Sequence, residues 1–482
     1  MRLFCYLFIL FLSLLTTSSY AKNSLLIENI NIISPQFQQP QLNRNVLIED
    51  GRITKISDQK ISSKGLKIDG NGMFLTPGLM DSHAHVSSIP GMGFGVEPVS
   101  QKHPKLVSQY YEQQPRSFLY YGVTQVLDPN PGINSHHFTQ QELHPKYFRC
   151  EVITSNNTFP YVEKQDDVSR SMFPYLIDEN AKKNELNSAE DIVHKISKSG
   201  ASCIKLYFEN GYGNADHWKL LSKKTLSRIK NAAKEMQLPI LAHANAFDMQ
   251  KLAVEADVDI IAHGLWNWGE FSRSQTIPKQ ISDHLDIIIS KKIGFMPTQR
   301  VITGLGEVMI PKIEDTPEFK NVTPDSLIQW YKTSDAEWFK GELRYGFDGL
   351  PDETIVNIFK YGRIGKGGLV IDYLNKLNHP ILLASDFPGS PTHANQPGLT
   401  TFLEMKAMIN AGLNLHEVLA AATINNAKQF NIDDDYGSVE VGKMANLLLL
   451  KNNPLESIEA WDSINTVILN GKPIAREDLS SN

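Results

Sequence analysis

The chain has 482 residues, with 47 Lys+Arg against 53 Asp+Glu and a formal charge of −6. Hydrophobic residues make up 41% and charged residues 21%, which excludes gross disorder and a disulfide-dense miniature scaffold. The mild acidity gives no long-range attraction for a phosphate backbone, so nucleic acid is not an expected partner.

Arg2, the apolar run Leu3 to Leu15 and the small residues of Ser19-Tyr20-Ala21 together read as a secretory signal peptide, residues 1–21. Export to the periplasm or outside the cell follows as an expectation. The apolar run is shorter than the roughly 20 residues of a spanning helix, and no later stretch reaches that length. Cleavage would leave Cys150 and Cys203, too few for a disulfide framework, so the fold is expected to rest on its hydrophobic core.

From Ser24 to about Ile68 short β-type runs dominate, with Glu49-Asp50-Gly51 as a hairpin signal. The pattern returns at Leu447–Leu450 and Ile464–Leu469, the latter ending at Asn470-Gly471. Both ends therefore predict one small β-sandwich domain, from 22–73 and 433–482. The stretch between them, 74–432, alternates strand and helix. Candidate strands run from Phe74 to His85, Val123 to Leu127, Phe148 to Ile153, Ser202 to Phe208, Pro239 to Ala244, Asp259 to His263, Gly294 to Pro297 and Pro380 to Asp386. Asn187 with Glu190 reads as a capping box opening a helix that stops at Gly200. Eight strands alternating with helices predict a TIM-like (β/α)8 barrel, making an α/β fold overall. The overlong segment 299–379, with a helix-like stretch from Asp325 to Leu343, is expected to form a lid or wall over the barrel mouth.

The chemistry gathers at strand ends, where barrel enzymes carry it. His83 and His85 sit two apart and share one face of a strand. Converging imidazoles of this kind suit a divalent ion such as zinc. His243 and His263 each follow four apolar-rich positions, and Asp386 closes a similar run. In Ser202 to Phe208, Ile204, Leu206 and Phe208 suit the covering helices, which turns Cys203, Lys205 and Tyr207 to the lumen. A lone ammonium there is costly to desolvate, so its pKa should fall, and a neutral amine can combine with CO2 as a carbamate. An ordinary ion pair between Lys205 and Asp386 is the simpler alternative.

These segments resemble the metal-dependent amidohydrolase superfamily, nearest to its imidazolonepropionase-like and Xaa-Pro-dipeptidase-like branch. The matching stretches are Leu75 through His85, Gly122-Val123-Thr124, Gly200 through Tyr207, Ala262-His263-Gly264, Ala420 through Thr423 and Gly437 through Asn446. The resemblance implies that His83 and His85 bind a more buried metal and His243 and His263 a more exposed one. Carbamylated Lys205 would bridge the two, and Asp386 would bind the buried metal and act as general base, then acid. It implies a small-molecule substrate, an amide, dipeptide or N-acyl amino acid, attacked by a metal-bridged hydroxide. Tyr207, Arg300 and His393 are candidate substrate contacts. Two departures stand out: Ala384-Ser385-Asp386 replaces the commoner Gly-Thr-Asp, and Asn446 stands where the family has Asp. The alternatives are a cyclic-amide hydrolase, a mononuclear deaminase and, least favoured, a non-catalytic binding barrel. Homo-oligomerisation is left open.

Overall fold

The computed structural model describes residues 24–93, 95–156, 158–160, 172–211, 217–389 and 391–482. The expected signal peptide, 1–21, lies outside the described residues. Strand β1 (Ser24–Ile32) pairs antiparallel with β2 (Gln41–Glu49), and β2 pairs with β3 (Arg52–Ser57). Asp50 and Gly51 between β2 and β3 have φ of 51° and 80°. That left-handed pair matches the twist of a tight hairpin, as the sequence indicated. On its other side β1 pairs in parallel with β4 (Leu66–Asp69) and β5 (Phe74–Pro77).

The expected strand from Phe74 to His85 is two strands in two sheets, because the chain crosses between layers at Gly78. A Cβ there would lie 1.9 Å from Thr124 Oγ1, so only glycine fits. Beyond it runs the barrel, from β6 (Leu79–Asp81) through β7 (Val123–Asp128), β8 (Lys146–Ser155), β9 (Tyr175–Ile177), β10 (Cys203–Tyr207), β11 (Ile240–His243) and β12 (Ile260–Ala262) to β13 (Gly294–Met296). The parallel order is β13-β12-β11-β10-β8-β7-β6, with β9 beside β8. The eighth staves run through 381–387 as irregular backbone. Leu382 N–H donates to Phe295 O at 3.0 Å, Ser82 N–H to Leu383 O at 3.1 Å, and His85 N–H to Phe387 O at 2.6 Å. These bonds close the cylinder between β13 and the first strand.

The lumen is packed by Met80, Leu127, Cys150, Cys203, Leu241, Ile260, Met296 and Leu382, while Ile204, Leu206 and Phe208 join the outer core with the helices. The alternation read from Ser202 to Phe208 is therefore kept in space. Cys150 and Cys203, register partners on β8 and β10, form a disulfide across a sequence separation of 53. Expecting a core without cystine support thus understated the cross-linking. The helix after Asn187 spans Ala189–Lys198, and its cap is Ser188, whose side chain accepts from Asp191 N. Asn187 itself has φ 59° and cannot serve as an extended cap, so the cap falls one residue later and the reciprocal box is not formed.

After the barrel, β14 (Leu447–Leu450), β15 (Ile464–Leu469) and β16 (Lys472–Ala475) return to the first sheet, β14 pairing antiparallel with β5. The sheet order is β16-β15-β14-β5-β1-β2-β3, with β4 beside β1, so both chain ends build one sheet. Leu447 and Leu449 face its own core with Ile27, Val46 and Ile53, whereas Leu448 and Leu450 face the barrel core. Four leucines in a row are thereby buried on both faces.

The segment 299–379 folds as helices, among them Gln299–Glu307, Asp325–Tyr331, Trp338–Gly346 and Ile364–Lys376. The expected single helix from Asp325 to Leu343 is two, separated by a 3-10 turn at Ser334–Glu337. Val301, Ile302, Leu305 and Trp338 line the cavity at the barrel mouth, which makes the segment a wall.

Closing a loop of this size removes about 4 kcal/mol of unfolded-state entropy, of which proteins usually realise about 2–4 kcal/mol. Replacing Cys150 and Cys203 together by alanine should lower the unfolding free energy by about that amount, read by urea denaturation. A midpoint equal to that of the parent would show that the bridge contributes nothing.

Candidate active site

At the carboxyl ends of the strands, His83 Nε2 and His85 Nε2 both lie 3.2 Å from Asp386 Oδ1. His263 Nδ1 lies 3.7 Å from Asp386 Oδ2, and its ring centroid is 5.3 Å from that of His83 and 4.5 Å from that of His243. Lys205 Nζ is 5.3 Å from the Tyr207 ring centroid, and the Tyr207 ring is 5.2 Å from His243. His83, His85 and Asp386 bring three ligand atoms within 4.8 Å of one another, close enough to hold a metal ion. All six proposed ligands line one cavity of about 1390 Å³, together with Tyr207.

Burial controls the electrostatics. It pushes the Lys205 ammonium down to about 7, while Asp386 pulls in the other direction. Burial, reinforced by neighbouring Lys205 and imidazoles, holds His83 and His263 well below the usual histidine range, and His243 is lowered as well. The rings are therefore neutral at physiological pH, as ligation requires. The His83 Nδ1 atom is buried without a hydrogen-bond partner among the described residues. Burial raises the Tyr207 phenol above its ordinary value, and Asn130 Nδ2 donates to its oxygen at 3.5 Å.

Polar groups behind the ligands fix their directions. Asp81 Oδ1 accepts the backbone N–H of His83 at 3.2 Å and of Ser385 at 3.0 Å, and Thr401 Oγ1 donates to Oδ2 at 2.6 Å. One carboxylate thereby ties the first and eighth staves together. Thr298, at φ 45°, places its hydroxyl 3.0 Å from His263 Nδ1. The next two backbone N–H groups, Gln299 and Arg300, donate to Glu404 at 3.0 and 2.6 Å, so a carboxylate caps this helix N-terminus. Burial nevertheless raises Glu404 to about 8. His263 and Asp386 also have positive φ, 82° and 54°. Non-glycine residues are held there only when their surroundings over-determine the backbone, as happens at functional sites.

Two expected substrate contacts lie elsewhere. Arg300 is buried, with Nη1 2.6 Å from Glu307 Oε2 and Nη2 donating to Ala394 O at 3.2 Å. Its ion pair holds it inside the wall, so it does not line the cavity. His393 is also buried and does not line the cavity, its ring stacked on Tyr331 at 4.4 Å. Sequence reasoning missed Glu209, Asp81, Thr298 and Glu404. Glu209 shares strand parity with Lys205, a signal that could have found it; Asp81, Thr298 and Glu404, which stand behind the ligands, had no local signature.

Residues 370–474 match the amidohydrolase family. An imidazolonepropionase of Christiangramia forsetii is 34% identical over 99 residues, 20% of this chain and 23% of that protein. The matched part is thus under a quarter of that relative's length. A second imidazolonepropionase, from Picrophilus torridus, is 21% identical over 84% of this chain and 85% of that protein. A solved Xaa-Pro dipeptidase with bound methionine in its active site superposes with a TM-score of 0.59 and 21% identity, covering 94% of this chain and all of that one. The chain is thus similar to amidohydrolases over part of its sequence and to the solved dipeptidase in its fold. The barrel and the sheet built from both ends are the architecture this chain shares with that structural neighbour.

Burial pushes the His393 imidazole down to about 3, against about 6.5 in an unfolded chain. The unfolded state takes the proton first, so the contribution of the neutral ring is complete above about pH 6.5 and is lost as pH falls toward 3. His393→Phe keeps a ring against Tyr331. It should therefore lose less stability than the parent between about pH 7 and pH 4, read by urea denaturation. Equal losses would contradict the placement.

Proposed function

We propose that this protein is an amidohydrolase that hydrolyses an amide-type carbon–nitrogen bond of a small molecule, using two divalent ions, zinc being the chemically apt choice. The observation that carries the reading is Lys205: an amine at about 7, wholly buried among imidazoles. Half-neutral at physiological pH, Nζ can bond to the carbon of CO2 and release a proton, leaving a two-oxygen anion. His83, His85 and Asp386 suit one ion, and His243, His263 and the Lys205 carbamate suit a second. Such a pair, when bound, polarises a substrate carbonyl and acidifies a water.

The protein's own groups do the rest. Oδ1 of Asp386 is directed at two histidines, which leaves Oδ2 to take the proton of the attacking water and return it to the departing nitrogen. The Tyr207 phenol, kept protonated and accepting from Asn130, has its O–H left to donate to the substrate. Trp266, Trp338, Phe159 and Phe247 line the cavity with aromatic surface, which excludes water and favours an apolar group on the substrate. A dipeptide or N-acyl amino acid fits this arrangement, and Lys251 is, among the described residues, a lining cation outside the metal cluster that could meet a carboxylate. A cyclic amide is the second reading, favoured by the imidazolonepropionases that match in sequence. Export is proposed with this function, supported by the leader-like residues 1–21 and by a Cys150–Cys203 bridge that persists in an oxidising compartment.

Metal analysis of protein prepared with bicarbonate should find two ions per chain, and Lys205→Met should retain one. Two ions in that variant would contradict the bridging role. Asp386→Asn should cut turnover of a responsive amide by orders of magnitude while metal remains bound, and unchanged turnover would exclude it as the proton carrier. Screening dipeptides, N-acyl amino acids and lactams separates the two substrate readings.

A further inference from the structure

Glu209 has no part in the reading above, although it stands inside the site. It lies two residues past Tyr207, with the lumen parity of β10, and is only 3% exposed. A buried carboxylate persists only where donors meet it. Here Oε1 accepts the Gly211 N–H at 3.1 Å, and Oε2 accepts from Asn245 Nδ2 at 3.0 Å. The same Oε2 lies 3.4 Å from His243 Nε2. His243 and Asn245 have the same parity at the end of β11, so one strand end presents both groups to the carboxylate.

We propose that Glu209 is the positioning residue of His243, holding the ring proton on Nε2 so that Nδ1 faces the more exposed divalent ion. The proposal rests on the two-ion reading. A neutral imidazole carries one N–H, and an ionised carboxylate can only accept, so the partner of one ring nitrogen decides which nitrogen offers its lone pair. The charge also makes the ring a stronger electron donor. His263, the other histidine proposed for that ion, is held by the neutral hydroxyl of Thr298. The two ligands of one ion therefore differ in basicity through their outer partners, and Glu209 lends that ion the negative charge that Thr298 cannot.

The test uses the whole protein loaded with Zn²⁺ and bicarbonate, with the affinity of each metal equivalent measured by chelator competition. Glu209→Gln keeps the shape and removes the charge. It should weaken the second equivalent about 10–100-fold and leave the first unchanged. Asn245→Ser removes the amide that fixes Glu209 Oε2 beside the ring, so the carboxylate is less well held against His243; it should weaken the second equivalent by a smaller factor and serves if the Gln variant does not fold. Parent-like affinity for both equivalents in these variants would overturn the proposal, and so would equal weakening of both, which signals general loosening. Loss confined to substrate KM, with metal binding intact, would make Glu209 a substrate contact and also overturn it. A parent that binds only one ion would defeat the two-ion reading and this inference with it, an outcome visible before any variant is made.

Discussion

The cost of placing ionisable groups where water cannot reach them governs this molecule. Lys205 and the four histidines stand at the mouth of a packed barrel, and burial drives Lys205, His83, His243 and His263 toward neutrality. A lysine in this position loses its usual role as a solvated cation and becomes a base near physiological pH. The same desolvation turns imidazoles into lone-pair donors. The site's chemical potential is therefore a property of the barrel wall as much as of the residues themselves.

Behind that cluster lies a polar scaffold whose members are more deeply buried than several of the groups they support. The helix Leu399–Asn410 contributes both Thr401 and Glu404. Through Asp81 the first grips the staves that carry His83 and Asp386; through the backbone after Thr298 the second fixes the turn whose hydroxyl meets His263. Neighbouring staves of the mouth are thus braced by one helix. The strained backbone at His263, Thr298 and Asp386 is tolerated because these bonds leave it no alternative.

The sheet and the wall segment give the barrel its context. The sheet made by both chain ends packs Leu448 and Leu450 on the barrel, which anchors the strand leading to Gly78 and so to His83 and His85. At the other end, Trp338 reaches from the wall to the Gly91 carbonyl at 3.2 Å, and Tyr331 to the Pro90 carbonyl at 2.8 Å. The segment after β13 is therefore fastened to the loop that follows the first histidines. Its apolar side chains define the cavity's outer face.

Period-two alternation and turn chemistry made the fold and the inner site legible before any coordinates. Strand parity alone assigns His83, His85, Cys203, Lys205 and Tyr207 to the lumen, and Asp50-Gly51 fixes a hairpin, because these depend on neighbours within a few residues. Pairings across the chain were closed to that reasoning. Arg300 and His393 are near the site in sequence, but their ion pair and ring stack hold them inside the wall. Glu404 meets Gln299 across 105 residues, and Cys150 meets Cys203 only because β8 and β10 are neighbours in register. Local stereochemistry decides which way a side chain points, so the sequence by itself determined the barrel, its lumen and the residues turned into it. Which partner waits at the end of each side chain is set by the packing of distant segments, and only the tertiary structure decided that.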